Sequence, residues 1–257
     1  MKMDSVFSFL RGSAEKYPDK IFAVDEKRSC TYAEAHEETS TLAERFAGLG
    51  LKAGDRVLIY LDNSLDYIEA FYAVLKKGGI VVPVNKNLTL AVIEYIAAET
   101  SPVFIVTNAI FKKRLSGSEA LLAYTVLDIR ALKAGGDDRP TPDPEAGDAQ
   151  PAMILYTSGT TKMPKGVTLS HKNLAANTRS IISYLQLRET DVLLGIVNFC
   201  YSYGNSLLLT HTKAGASIVI ENRVSFPLKV VENLYESRAT GFSTVGSYLN
   251  ILLKQGR

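Results

Sequence analysis

Four short apolar runs without polar alternation limit what this chain can fold into. Val57-Leu58-Ile59-Tyr60-Leu61 is bounded by Gly54-Asp55 and Asp62-Asn63; Ile80-Val81-Val82-Pro83-Val84, Val103-Phe104-Ile105-Val106 and Ala152-Met153-Ile154-Leu155-Tyr156 have the same character. A strand with one face in water alternates apolar and polar residues, whereas one covered on both faces does not. Cover on both faces is what a parallel sheet between helix layers requires. The intervening segments have helical spacing. Leu65, Ile68, Phe71, Tyr72 and Leu75 recur on one helical face, which Gly78-Gly79 ends. Thr31 with Glu34 three residues on has capping-box spacing and opens a helix whose apolar face is Ala35, Leu42, Phe46 and Leu49. Further helices are expected over 171–186, 227–237 and 246–254. The expected fold class is α/β, with layered, largely parallel sheets flanked by helices.

Charge and composition exclude several function classes. Lys plus Arg is 29 and Asp plus Glu is 27 in 257 residues, a net charge of +2, too even a balance to attract a polyanion. No nucleic-acid partner is expected. No apolar stretch approaches the ~20 residues that cross a bilayer, so no membrane span is expected. Residues 1–9 are too weakly apolar for a secretory signal, and the expected location is cytoplasmic. Cys30 and Cys200 are read as buried thiols. His36, His171 and His211 stand apart, and no metal site or Ser-His-Asp triad is expected. Residues 133–150, with three prolines, three glycines and no large apolar residue, read as an exposed connector, either between domains or as an excursion within one.

The chemistry concentrates after the run Ala152–Tyr156, in Thr157-Ser158-Gly159-Thr160-Thr161-Lys162-Met163-Pro164-Lys165-Gly166, followed by Val167-Thr168-Leu169. The hydroxyls, and the amides around Gly159, can donate to phosphate oxygens, and Lys165 adds a positive charge. Glycine admits close backbone approach, while Pro164 keeps the segment from winding into a helix. A Walker loop needs G-x-x-x-x-G-K-[ST] opening a helix. Here Pro164 stands five residues after Gly159 and a strand-like run follows the lysine, so that reading fails. On composition alone a polar hairpin turn and a phosphate loop stay equally open.

The order T-S-G-T-T-x-x-P-K-G between two strands resembles the phosphate loop of the AMP-forming adenylating enzymes: acyl-CoA synthetases, peptide-synthetase adenylation domains and luciferases. Ser170-His171-Lys172-Asn173-Leu174, Thr31-Tyr32-Ala33-Glu34-Ala35 and Gly54-Asp55-Arg56-Val57 are similar to that family as well. So are residues 71–79, Val82-Pro83-Val84-Asn85 and residues 239–245. The likeness keeps the family's order and spans the whole chain.

The resemblance implies that residues 1–257 form the N-terminal portion of the family's large domain, incomplete at its C-terminus and without the C-terminal lid domain. It implies ATP-dependent activation of a carboxylic acid, a fatty or other acyl acid, to an acyl-adenylate. The acyl group then passes to coenzyme A or a carrier-protein thiol. ATP, Mg²⁺ and coenzyme A are the cofactors so implied. By the same resemblance Thr157, Ser158, Gly159, Thr160, Thr161 and Lys165 hold the β- and γ-phosphates. Tyr201, in Asn198-Phe199-Cys200-Tyr201-Ser202-Tyr203-Gly204, matches the position lining the carboxylate pocket. Read without the resemblance, that segment is an ordinary strand-to-helix turn with Tyr201 and Tyr203 half-buried.

The sequence departs from the family pattern in places. Lys162 stands where glycine is commonest, and Asn198 and Gly246 stand where proline is usual. The aromatic-Gly-Thr-Glu motif and the catalytic lysine of the family would lie beyond Arg257, so catalytic residues are unknown and the isolated chain is expected not to complete turnover. An amino-acid adenylation domain is one alternative. A non-catalytic half-domain for interaction or weak nucleotide binding is another. A sheet deprived of later strands exposes apolar edges, and a homo-oligomer is expected.

Overall fold

The computed structural model describes residues 5–135, 142, 144, 147, 149–157 and 163–255. In chain order these form α1 (Phe7–Lys16), β1 (Ile21–Val24), β2 (Ser29–Thr31), α2 (Tyr32–Gly48), β3 (Arg56–Tyr60), α3 (Leu65–Lys76), β4 (Ile80–Pro83), α4 (Leu90–Thr100), β5 (Phe104–Thr107), α5 (Ala109–Leu115) and α6 (Glu119–Leu122). There follow β6 (Thr125–Asp128), α7 (Ile129–Ala134), β7 (Pro151–Thr157), β8 (Lys165–Ser170), α8 (His171–Leu185), β9 (Val192–Gly195), α9 (Ser202–Ala214), β10 (Ser217–Ile220), α10 (Pro227–Glu236), β11 (Gly241–Phe242) and α11 (Gly246–Gln255). Two sheets result, one ordered β6-β5-β3-β4-β7-β8 and the other β11-β9-β10-β1-β2. Within them only β1/β2 and β7/β8 pair antiparallel.

The four apolar runs become β3, β4, β5 and β7, and their lack of alternation has the cause expected of it. Val57 and Ile59 face the core that α2 and α3 cover. Leu58 and Tyr60, pointing the other way, pack with Val82, Ile93, Ile96 and Ile105 beneath α4. Both sets are fully buried, so alternate side chains of one strand serve two cores.

Local signals set the helix ends. Thr31 accepts from the Glu34 amide at 3.2 Å, and Glu34 accepts from the Thr31 amide at 2.7 Å, the reciprocal cap that the spacing indicates. Ser64 caps α3 by accepting from the Tyr67 amide at 3.1 Å. After α3 the chain reverses at Gly78, φ 71°, where an added Cβ would stand 2.9 Å from the Pro144 ring. Left-handed backbone and close contact together call for glycine there. Leu49, assigned above to the apolar face of α2, is instead exposed at the C-cap position. The helix has run out before its next inward turn.

The segment 133–150, expected as an exposed connector, departs from that form at its first residue. Lys133 belongs to α7 and reaches Glu38 of α2 at 3.1 Å, Asp66 of α3 at 3.3 Å and Glu69 of α3 at 2.5 Å. Arg28, next to β2, makes two bonds to Glu38 at 2.9 and 2.8 Å and also bonds Glu69. Composition hides this cluster because its members come from three helices and the turn before β2. Most of the remaining connector lies outside the described residues.

Candidate functional site

Strands β7 and β8 pair in register from Met153↔Leu169 to Thr157↔Lys165. This places the two ends of the hydroxyl-and-lysine segment opposite each other at the end of the ladder, both exposed. Ser158, Gly159, Thr160, Thr161 and Lys162 lie outside the described residues. The ladder is held from its far side. Tyr156 donates its hydroxyl to Glu99 of α4 at 2.7 Å, and an added Cβ at Gly166 would stand 3.2 Å from the Tyr156 ring. Burial, reinforced by the Glu99 carboxylate, raises the Tyr156 phenol well above its ordinary pKa, so it stays a donor across the physiological range.

The second expected element, the turn between β9 and α9, is built by side-chain amides. Asn63, buried after β3, donates to the Val197 carbonyl at 2.9 Å and accepts from the Phe199 amide at 2.8 Å. Its own carbonyl accepts from Asn222 at 2.8 Å. One residue thus ties both sheets to the turn. Asn198 accepts from the Cys200 amide at 3.0 Å, a local closure that proline in its place could not make. At Gly204 an added Cβ would lie 2.1 Å from the Asn198 carbonyl oxygen, so only glycine fits. Tyr201 occupies the N-cap position of α9 and is 49% exposed, with Tyr203 at 45%. Partial burial, with a smaller contribution from Cys200, raises the Tyr201 phenol.

A cavity of about 130 Å³ lies between these two elements. Leu155 of β7 and Leu169 of β8 form one wall, and Asn173, Leu174 and Asn177 of α8 form another. The third wall is a single face of α9: Ser202, Asn205, Ser206 and Leu209. Tyr201 and Thr157 flank the cavity in sequence, one residue before Ser202 and two after Leu155, without lining it. Sequence reading passed over Asn205. Its signal was the i, i+3, i+4, i+7 spacing of that face, but nothing in the sequence says which neighbours enclose it.

A search against family models matches residues 10–257 to the AMP-binding enzyme family. The chain belongs to the AMP-binding enzymes. It is 29% identical over 240 residues to a linear gramicidin synthase of Brevibacillus parabrevis, a match spanning 93% of this chain and 3% of that protein. It is 32% identical over 215 residues to the mitochondrial malonate–CoA ligase of Mus musculus, spanning 79% of this chain and 36% of that protein. Its fold is that of the o-succinylbenzoate coenzyme A synthetase of Bacillus subtilis solved in complex with AMP, with TM-score 0.88 and 23% identity over 96% of this chain and 64% of that one. The chain therefore spans at most about a third of these two curated relatives and about two thirds of that solved structure.

Membership in the AMP-binding enzymes implies use of ATP. Among the described residues no group of three or more His, Cys, Asp or Glu could hold a metal ion. Cys30 and Cys200 are buried, and burial pushes both thiols up to about 12, leaving them un-ionised and unsuited to nucleophilic attack. His171, which accepts from the Val6 amide at 3.2 Å, and His211 are buried apart from each other, and burial lowers both. Among the described residues no helix is long and apolar enough to cross a membrane.

Proposed function

We propose that this chain is the N-terminal portion of an enzyme that uses ATP to convert a carboxylic acid to its acyl-adenylate and then passes the acyl group to a thiol of coenzyme A or a carrier protein. The observation that carries the reading is the Thr157↔Lys165 register, which holds a stretch of hydroxyls and lysines between two paired strand ends in a chain of the AMP-binding family. A carboxylate is a poor electrophile because its charge is delocalised, and the mixed anhydride with AMP restores an electrophilic carbonyl. Attack on the α-phosphorus loads charge onto the departing pyrophosphate. Thr157, Ser158, Gly159, Thr160, Thr161 and Lys165 hold the β- and γ-phosphates and offset that charge. Mg²⁺ adds further charge neutralisation when bound. The turn at Tyr201 meets the acid, and turnover needs protein beyond these residues.

Titration of ATP into the chain tests this. Lys165→Ala should weaken binding at least tenfold and Lys162→Ala much less, because Lys165 is anchored by the ladder. Equal effects, or none from Lys165→Ala, would refute the assignment. An amino acid as the substrate is the second reading, favoured by the similarity to the gramicidin synthase. Pyrophosphate exchange with acyl and amino acids by an enzyme containing this chain separates the two. A cytoplasmic location fits either substrate.

Self-association belongs to the same proposal. Strand β11 is a two-residue edge strand, and Leu228 and Tyr235 of α10 and Leu249, Ile251 and Leu253 of α11 beside it are exposed. Covering such a surface favours a second copy. Light scattering at micromolar concentration should give a mass of two or more chains, and a one-chain mass would reject the idea.

A further inference from the structure

The places assigned above to the phosphates and to the acid belong to different sheets. Thr157 and Lys165 end the β7/β8 ladder of the six-stranded sheet, whereas Tyr201 follows β9 of the five-stranded one. Attack of one bound group on the other needs reacting atoms about 3–3.5 Å apart, and a misplacement of about 1 Å can cost ~100-fold in rate. Apolar packing between the sheets is non-directional, so an offset that fine has to be set by directional bonds.

Strands β3, β4 and β7 run parallel, so the chain leaves all three at one edge, toward Asn63, Asn85 and Thr157. Two side chains of that edge hold the Tyr201 turn. Asn85 donates to the Cys200 sulfur at 3.5 Å, a weak acceptor. Asn63, 3% exposed, donates to the Val197 carbonyl at 2.9 Å and accepts from the Phe199 amide at 2.8 Å. These two groups flank a single residue, and they are the pair that a neighbouring parallel strand engages. The Asn63 side chain therefore stands in for a strand, and a fully satisfied buried amide of this kind fixes one arrangement of backbone. Beyond it the turn is stiff. The Tyr201 amide donates to the Asn198 carbonyl at 3.2 Å, and that same oxygen leaves no room for a side chain at Gly204. A displacement at Val197–Phe199 is thus carried to Tyr201.

We propose that Asn63 is a positioning residue for adenylation: it sets where Tyr201 stands relative to Thr157 and Lys165, and so the gap between the acid's carboxylate and the α-phosphorus. This role rests on the ligase reading above and adds to it the residue that joins its two halves. In the step concerned, a carboxylate oxygen bonds to the α-phosphorus as the bond to the bridging oxygen breaks, and pyrophosphate leaves with that electron pair. Asn63 touches neither reactant. Its loss leaves each binding group on its own sheet and disturbs the spacing, which lowers kcat with little change in the KM for ATP.

The test is ATP–pyrophosphate exchange by an enzyme containing this chain, with octanoate, benzoate, malonate and the standard amino acids offered in turn; the acid exchanged fastest serves for the variants. Asn63→Ala should lower kcat about thirtyfold or more while the KM for ATP moves less than about threefold. Asn222→Ala removes only the bond to the Asn63 carbonyl and should lower kcat by a smaller factor; it keeps the test open should Asn63→Ala fail to fold. Ser64→Ala removes the cap of α3 one residue away, so it loses stability without loosening the turn and should hold kcat within about twofold. The spacing itself is read in the chain with spin labels at Val167→Cys on the ladder and Tyr203→Cys on α9, both exposed, Cys30 and Cys200 being buried. The distance distribution should broaden in Asn63→Ala and Asn222→Ala and stay sharp in Ser64→Ala. Asn63 and Asn222 variants that match Ser64→Ala in kcat, an unchanged distribution, or a rise in the KM for ATP as large as the fall in kcat would each overturn the positioning role. A wild-type enzyme that exchanges none of these acids, with a chain that binds no ATP, overturns the ligase reading and this role together; normal wild-type exchange with an unaffected Asn63→Ala overturns this role alone.

Discussion

Glu69 gives the sharpest quantitative prediction. It lies on α3 at 1% exposure and meets Arg28 of the β1–β2 side and Lys133 of α7. Burial, joined by a hydrogen bond with Glu38, raises its pKa to about 7 in spite of Lys133 and Arg28. Against the same burial cost, hydrogen bonds from Glu69, Arg28 and Lys133 hold Glu38 below its ordinary value. Below about pH 7 the pair thus holds one proton, on Glu69. An acid whose folded pKa exceeds its unfolded one contributes fully below the unfolded value, about 4.5, and loses that contribution as pH rises through about 7. Each unit is about 1.4 kcal/mol, so over pH 5 to 8.5 the loss from Glu69 comes to about 2–3 kcal/mol. His171 and His211, lowered by burial, act in the opposite direction in part of that window, so wild-type stability alone does not isolate the effect. Glu69→Gln does. Urea unfolding of both proteins from pH 5 to pH 8.5 should show the stability of the glutamine variant, relative to wild type, rising by about 2–3 kcal/mol as pH increases. A constant difference, or one that falls with pH, would refute a protonated buried Glu69.

Two further substitutions probe the turn before α9. Gly204→Ala would put a methyl 2.1 Å from the Asn198 carbonyl oxygen, and overpacking of this kind costs about 1–3 kcal/mol or more; thermal unfolding should show a lowered midpoint, and an unchanged midpoint would mean the turn yields freely. Asn63→Ala leaves the Val197 carbonyl and the Phe199 amide without their partner and should cost about 2–4 kcal/mol by urea unfolding, at roughly 1–3 for each buried orphan; a loss under about 0.5 kcal/mol would mean that water replaces the side chain.

The parts of the fold legible in the sequence were those with a local cause. Strands β3, β4, β5 and β7 showed themselves because burial on both faces removes polar alternation, and α2 and α3 because their caps and breaking glycines are encoded within a few residues. Family membership was legible from ordered motifs along the chain. Strand β6, with no residue fully buried, and the two-residue β11 carry too little pattern to stand out. Lys133 read as part of an exposed connector because Glu38, Asp66 and Glu69, which hold it, are distant in sequence. The candidate site divided in the same way. Thr157 and Lys165 follow from the motif, and their pairing from the two flanking strand runs. Asn205 required the packing of α8, α9 and the β7/β8 ladder before its place in the cavity wall could be seen.

The five-stranded sheet has a consequence for biosynthesis. Strand β1 pairs with β10 through Ala23↔Ile218 and Val24↔Val219, so the earliest strands of the chain find their neighbour 195 residues downstream. At ribosomal rates of about 5–20 residues per second that is a wait of roughly 10–40 s. The six-stranded sheet, drawn from residues 56–170, can close while translation is still under way. Until then Phe22 and Ala23, buried in the finished fold, lack the β10 side of their cover, so the β1–β2 hairpin is completed late.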